Sequence, residues 1–218
     1  TIRILLTEGK DSKSYASAFV SRHGDGICDL RFEVTSAKDT FDTVTKRGAS
    51  ALKPAQSSAL DQGTYATSQI KAVGDVTHTF VERKGTKAFA PWMKADTSIQ
   101  PEGVGLFAVD HLTCNVEKGR MEEWASFYQK VFDFKNTRFF HITTGRTGLI
   151  SKVMENEEGT VKIPFNEPTE SKSQIQEYLD LNKGPGIQHL ALTTKNILST
   201  LPLLRRSGQQ FLDVPDTY

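Results

Sequence analysis

The sequence contains an internal repeat with an offset of 160 residues, which constrains the fold more than any other feature. The stretch HGDGICDLRFEV (23–34) and the stretch GPGIQHLALTT (184–194) align without gaps, so that the first Gly-x-Gly-Ile-x-x-Leu matches the second. Glycines that recur in register mark backbone positions that side chains tolerate poorly, and chance rarely produces them. The repeat therefore predicts two related units. One difference stands out, because Asp29 occupies the position that His189 occupies in the second copy.

Both copies share one predicted local pattern. A short helix precedes the Gly-x-Gly turn, an apolar strand follows it, and a helix of about ten residues (36–47 or 196–207) comes next. Gly48 and Gly208 are expected to end these helices, as glycine does just after a helix C-terminus. The first copy continues with strands in YATSQIKAV and DVTHTFVERKG, joined by a turn at 74–75. A strand-helix-strand unit with further strands indicates an α+β fold.

The middle of the chain repeats this order of elements. VGLFAVDHLTCNV (104–116) is a predicted strand, and EKGRMEEWASFYQKVFDF is a predicted helix whose apolar stripe indicates core packing. Three strands follow, in TRFFHITT, GLISKVMEN and TVKIPF, which completes a βαβββ module.

These units predict two domains, 1–88 and 105–218, with a linker over 89–104 whose Phe89, Trp92 and Met93 pack against a domain. TIRILL at the start is a further predicted strand, and the second copy lacks the counterpart of the strand at 76–83. Both domains are therefore expected to be incomplete, as in an internal fragment of a longer protein.

Composition excludes several classes of function. The 218 residues carry 27 basic and 26 acidic side chains, and a net charge of +1 gives no basis for binding nucleic acid or an anionic membrane. No apolar run approaches the roughly 18–20 residues of a spanning helix. Cys28 and Cys114 each stand alone in a strand-like run. This usage favours reduced core cysteines in a cytoplasmic protein.

The candidate metal ligands are His111 and His189. Each lies in the first strand of a repeated unit, and two such strands side by side would bring the imidazoles together. With no thiolate cluster in the chain, the pattern favours a two-histidine, one-carboxylate site, which is typical of non-haem Fe(II) and also open to zinc. A single histidine in a strand is more often a core residue, and His23, His78 and His141 are expected to be structural or solvated.

Four motifs, VDHLTCNV, SKVMENEEGTVKIPFNEPTESKSQIQEYL, GPGIQHLAL and FLDVPDTY, occur in order through nearly all of 104–218. The sequence there resembles the 4-hydroxyphenylpyruvate dioxygenase family of the vicinal-oxygen-chelate superfamily. The N-terminal half is similar more weakly, through HGDGICDLRFEV and GDVTHTFVER. The resemblance implies two domains, each of two βαβββ modules, of which only the second domain holds Fe(II).

The resemblance also implies roles for particular residues. His111 and His189 match the iron-binding histidines, and the third ligand, a glutamate on a late strand, would lie beyond Tyr218. Substrate-pocket residues match Ser151, Asn166 and Gln174, and Pro164 matches a pocket wall. Without the resemblance, Asn166-Glu-Pro reads as a turn and Gln174 as a solvated residue at a helix start.

The activity implied is conversion of 4-hydroxyphenylpyruvate, an aryl pyruvate, and O₂ to homogentisate and CO₂. This reaction belongs to tyrosine and phenylalanine catabolism, and the family suggests homodimers or homotetramers. Three alternatives remain open. They are a 4-hydroxymandelate synthase with the same substrate and metal, a catalytically inert fragment that lacks the third ligand, and a zinc or nickel lyase of the same superfamily.

Overall fold

The computed structural model describes residues 2–94, 96, 98–99, 102–144 and 147–212. The helices formed by these residues are α1 (Tyr15–His23), α2 (Ala37–Lys46), α3 (Met121–Phe132), α4 (Gln174–Asn182) and α5 (Ile197–Arg206). The strands are β1 (Asp29–Glu33), β2 (Ala51–Ala59), β3 (Thr64–Lys71), β4 (Thr77–Lys84), β5 (Leu106–Asn115), β6 (Lys135–Thr144), β7 (Thr147–Glu155), β8 (Lys162–Pro168) and β9 (Gly186–Thr194). The predicted α+β class is confirmed.

The first sheet is a complete βαβββ module. Its strand order is β1-β4-β3-β2, with β1 parallel to β4 and the other neighbours antiparallel. Helix α2 lies between β1 and β2 in sequence and packs Phe41 and Val44 against Ile70 and Phe80 of the sheet. Ser36 begins α2, because its side chain accepts the N–H of Asp39.

The second sheet repeats this arrangement and extends it by one strand. Its order is β6-β7-β8-β5-β9, with β5 parallel to β8 and antiparallel to β9. The elements β5, α3, β6, β7 and β8 form a second βαβββ module, and β9 with α5 begins a third. In both complete modules the first strand therefore pairs in parallel with the fourth.

Helix α3 packs on the second sheet as its apolar stripe predicts. Met121, Ala125, Tyr128 and Val131 are buried, and most of them join a core with Phe165 and other sheet residues. No side chain of the N-cap residue closes the start of this helix. The carboxylate of Glu167 on β8 accepts the N–H groups of Gly119 and Met121 instead, which suits the positive end of the helix dipole.

The two sheets share one apolar core. Leu30, Val73 and Val76 of the first module pack in the same cluster as Cys114 and Tyr128 of the second. Ile27 and Ile187, which the sequence repeat aligns with each other, also form an isolated antiparallel bridge between the two halves.

Two predicted details are wrong. TIRILL forms no strand over its described residues 2–6, and Leu6 is 90% exposed, since none of the described strands pairs with this segment. Trp92 and Met93 are exposed, and Trp92 only touches the ring of Tyr65. Of the three linker side chains, Phe89 alone is packed into a cluster, the one formed by Tyr65, Val81 and Ala90. Strand β2 was not predicted, because it contains Pro54 and is exposed along most of its length. Both properties are typical of an edge strand.

None of the helices in the described part of the chain has the length and apolar character that a membrane span requires. Both cysteines are free, with Cys114 buried and Cys28 half-buried. Residues 213–218, which make up most of the FLDVPDTY motif, lie outside the described residues.

Candidate metal and substrate site

The structure brings His111 and His189 together on neighbouring antiparallel strands. In the β5–β9 register His111 pairs with Ala191 and Thr113 pairs with His189, so that the two histidines lie diagonally across the ladder. Their ring centroids are 5.8 Å apart, and the ring planes are inclined by 75°.

Hydrogen bonds assign the same tautomer to both rings. The Nδ1 of His111 lies 2.7 Å from Oδ2 of Asp110, and the Nδ1 of His189 lies 3.0 Å from Oε1 of Gln188. A carboxylate oxygen and an amide oxygen only accept, so each Nδ1 carries a proton and donates. When such a ring is neutral, its Nε2 is the basic nitrogen, and in His189 this nitrogen accepts the hydrogen bond of the Thr113 hydroxyl at 2.9 Å.

Electrostatics favour the neutral state of His189. Its pKa is lowered, first by partial desolvation and then by its proximity to a second imidazole, His111. A neutral imidazole with an unprotonated Nε2 is the form that binds a metal ion. Two such nitrogens side by side fit two positions of a metal with mixed nitrogen and oxygen ligands.

A buried polar row continues from the histidines across the same face of the sheet. On β5, Thr113 pairs with His189 of β9. Two residues further along β5, Asn115 pairs with Asn166 of β8, and Asn166 also pairs with Ser151 of β7. All four of Thr113, Asn115, Asn166 and Ser151 are at most 8% exposed. The Nδ2 of Asn166 donates to Oδ1 of Asn115 at 3.3 Å, which fixes the direction of the Asn166 amide.

Two further residues, Pro164 and Gln174, were also predicted to belong to the pocket, but they are not members of the buried polar row. Pro164 lies two residues before Asn166 on β8 and pairs with Val153. Gln174 is the first residue of α4 and is exposed. Within the described part of the chain, no hydrogen bond joins its side chain to Ser151, Asn166 or either histidine. Its helix nevertheless packs against β5, β8 and β9 through a face that contains the buried Ile175 and Leu179.

Four residues of this face were not predicted, namely Asp110, Thr113, Asn115 and Gln188. Thr113 and Asn115 follow His111 at spacings of two and four, so that strand alternation alone could have placed them on its face. Asp110 and Gln188 are next to the histidines in sequence, and a regular strand would point them to the opposite face.

The repeat counterpart of His189 shows why the first module differs. The hydroxyl of Thr79 lies 2.9 Å from both carboxylate oxygens of Asp29 and shares its one proton between them. Oδ1 also accepts a hydrogen bond from Thr77 at 2.8 Å, and Oδ2 also accepts one from Arg31 at 2.9 Å. These bonds occupy the oxygens that a metal ion would need. Asp29 therefore holds β1 and β4 together in the position where His189 presents a basic nitrogen.

The other histidines have structural environments. His78 is fully buried and contacts the hydroxyl of Tyr128 through Nε2 and the carbonyl of Thr77 through Nδ1. The side chain of His23 contacts Asp75 and the carbonyl of Asn182. His141 lies exposed on β6. Among the residues that the structure describes, no group of three histidine, cysteine or acidic side chains could hold a metal ion.

Comparison with known proteins gives matches over both halves of the chain. The family model described as "Glyoxalase/Bleomycin resistance protein/Dioxygenase superfamily" matches residues 108–218. The model described as "Hydroxyphenylpyruvate dioxygenase, HPPD, N-terminal" matches residues 1–99.

Named relatives match nearly the whole chain. A 4-hydroxyphenylpyruvate dioxygenase of Legionella pneumophila is 40% identical over 95% of this chain and 58% of its own length. One of Dictyostelium discoideum is 37% identical over 95% of this chain and 60% of its own length. A triple mutant of 4-hydroxymandelate synthase from Streptomyces coelicolor superimposes with a TM-score of 0.79 at 25% identity, over 95% of this chain and 61% of that one. The chain thus spans less than two thirds of the length of these relatives.

Proposed function

Because the chain belongs to the glyoxalase/bleomycin resistance protein/dioxygenase superfamily, we propose that it forms part of a 4-hydroxyphenylpyruvate dioxygenase. Such an enzyme converts 4-hydroxyphenylpyruvate and O₂ to homogentisate and CO₂ in tyrosine and phenylalanine catabolism. The observation that supports this most is the proximity of the His111 and His189 rings, 5.8 Å apart, at one end of a buried polar row. The 33–40% identity to several dioxygenases of that name adds to it.

We propose His111 and His189 as two ligands of an Fe(II) ion. In both rings Nδ1 contacts a side-chain oxygen, which leaves Nε2 as the nitrogen that could bind the metal and fits the donor set of a two-histidine, one-carboxylate site. When bound, Fe(II) would supply coordination of the keto acid and activation of O₂. In both complete modules the first strand has a parallel fourth strand, and β9 is the first strand of a third module. A strand beyond Tyr218 and parallel to β9 would therefore carry the third ligand, a glutamate.

The chain's own residues would hold the substrate. The hydroxyl of Ser151 and the amide of Asn166 lie next to each other in the buried row, and neither is charged, so that they can bind phenol or keto-acid oxygens without competing for iron. Asn115 restrains the Asn166 amide by accepting its N–H. Gln174 would contact the substrate from the start of α4, and Pro164 would form part of the pocket wall.

Further features of the complete protein belong to the same proposal. We assign residues 1–88 to a domain that binds no metal and residues 105–218 to the catalytic domain, with 89–104 as the linker. The protein would act in the cytoplasm as a homodimer or homotetramer, on a small aryl pyruvate and O₂.

A 4-hydroxymandelate synthase is the second candidate, since a mutant of such an enzyme superimposes on 95% of the chain. Identification of the product separates the two. The full-length protein, supplied with Fe(II), 4-hydroxyphenylpyruvate and O₂, is expected to release CO₂ and homogentisate. Release of 4-hydroxymandelate would favour the synthase, and no turnover by an iron-loaded protein would contradict both assignments.

A further inference from the structure

We propose that Asp110 is a positioning residue for the metal site, and that a β-bulge in β5 exists to bring its carboxylate to His111. The carboxylate would fix the imidazole as the tautomer whose Nε2 is free to bind metal. This inference rests on the metal site proposed above and concerns a residue that contacts a ligand rather than the metal.

The bulge is visible in the strand register. In the β5–β9 ladder Val109 pairs with Leu192 and His111 pairs with Ala191, so that Asp110 has no partner of its own. An extra residue of this kind bends the strand and re-aims its side chain. In a regular strand Asp110 and His111 would point to opposite faces, whereas here Oδ2 of Asp110 lies 2.7 Å from Nδ1 of His111.

The partner strand contains the same device. Thr113 pairs with His189 and Cys114 pairs with Ile187, so that Gln188 is the extra residue on β9. Its Oε1 lies 3.0 Å from Nδ1 of His189. Each histidine therefore follows a bulged residue whose side-chain oxygen accepts the proton on Nδ1. A third register shift in this ladder, between Leu106 and Ala108, lies away from the histidines. What points to the site is therefore the contact that each of the other two bulged side chains makes with an Nδ1 atom.

The two acceptors differ in charge and in support. Asp110 offers a carboxylate, and a hydrogen bond to an ionised acceptor is stronger than one between neutral groups. Lys162 of the parallel neighbour β8 lies 3.3 Å from the other carboxylate oxygen of Asp110. The carboxylate thus contacts His111 through one oxygen and Lys162 through the other. A carboxylate fixed in this way restrains the ring of His111, which is the role that hydrogen-bond partners of metal-bound histidines have. Gln188 presents a neutral amide at a longer distance.

The test combines the tautomer of His111 with metal affinity, both measured in the full-length protein. Asp110→Ala removes the acceptor, Asp110→Asn keeps an oxygen of the same shape without the charge, and Lys162→Met removes the second support. Asp42→Ala is the matched control, because Asp42 is an exposed carboxylate that pairs only with Lys38 among its described neighbours. Two-bond ¹H–¹⁵N spectra of the metal-free protein report the tautomer, and competition calorimetry gives the Kd for Zn²⁺.

For Asp110→Ala we expect mixed tautomers at His111 and a Kd for Zn²⁺ raised about 10- to 100-fold. Asp110→Asn and Lys162→Met should give smaller increases, and Asp42→Ala should match the wild type. An Asp110→Ala protein with a wild-type tautomer and wild-type Kd would overturn this inference while leaving the metal site intact. A wild-type protein that shows the expected tautomer but binds no Zn²⁺ would overturn the metal site and this role of Asp110 together.

Discussion

At the scale of single residues, the proposed site includes polar side chains that are buried beside the two histidines. Asn166 is the clearest case, because it is 8% exposed and its amide is directed by Asn115. The Nδ2 of Asn115 is itself buried and has no partner among the described residues. An unpaired buried donor costs free energy unless something else binds it. The pair is therefore more than the turn that Asn-Glu-Pro suggests in the sequence.

We expect Asn166→Ala to impair catalysis more than folding. Without the amide, a buried oxygen of the substrate would lose its partner at a cost of about 1–3 kcal/mol, which corresponds to roughly 5- to 150-fold in kcat/KM. Steady-state kinetics and product analysis measure the first effect, and urea unfolding measures the second. Asn136→Ala, an exposed asparagine on β6, serves as the control. An Asn166→Ala protein that unfolds without urea would support the turn interpretation instead.

His78 makes the stability of the protein depend on pH. Burial lowers its pKa to about 4, whereas an unfolded histidine titrates near 6.5. Between about pH 4 and pH 6.5, the unfolded chain therefore binds a proton at His78 that the folded chain does not bind. Stability should be full above about pH 6.5, fall as the pH decreases to about 4, and then level off with respect to this group.

The contribution of His78 to this pH dependence is on the order of 3 kcal/mol. Urea unfolding of the wild type and of His78→Gln at several pH values from 7 to 4 measures it. The variant will also lose the contact with Tyr128, which changes its stability at every pH. The test is therefore the slope of the free energy of unfolding against pH, and not its absolute value. Equal slopes for both proteins would show that His78 is not the group responsible.

At the scale of helices and strands, sequence periodicity was informative where one face of an element is buried. The apolar stripe of α3 and the alternation of β3 and β4 gave these elements correctly. Strand β2 could not be found in this way, because it is exposed, lacks alternation and contains Pro54. The bulges at Asp110 and Gln188 could not be predicted from the sequence either, because a bulge is defined by the register between two strands and not by the sequence of one strand.

Glu167 connects two elements, and its removal should weaken the start of α3. Its carboxylate accepts two N–H groups there that would otherwise lack a partner. We expect Glu167→Ala to lower the free energy of unfolding by about 1–2 kcal/mol. Urea unfolding at pH 7 gives the value, and Glu157→Ala in the exposed turn after β7 is the control. A loss no larger than that of the control would exclude this capping role.

At the scale of the whole molecule, the core shared by the two sheets predicts that both halves unfold together. Leu30, Val73 and Val76 pack in the same cluster as Cys114 and Tyr128. Trp92, near Tyr65, reports on the first half, and Trp124 on α3 reports on the second. In the Trp124→Phe and Trp92→Phe proteins, respectively, the fluorescence of the remaining tryptophan should give the same urea midpoint as the far-UV circular dichroism of that protein. Two well-separated midpoints would mean that the halves unfold independently.

The repeat explains both what the sequence could show about the site and what it could not. Matching positions identified His111 and His189 and set Asp29 apart from them, because a strand register preserves such positions. The network that occupies Asp29 involves Thr77 and Thr79, which lie about 50 residues away in sequence on β4. Only the fold shows that the first module has a fully bonded carboxylate at the position that corresponds to His189, the proposed ligand.

The central claim is that His111 and His189 form two thirds of an iron site. Anaerobic titration of the full-length protein with Fe(II) tests it most directly, with His189→Ala as the variant and His141→Ala, an exposed histidine on β6, as the control. We predict one Fe(II) bound per chain in the wild type and the control, and neither binding nor turnover in His189→Ala. A His189→Ala protein that binds Fe(II) and turns over as the wild type does would contradict the account.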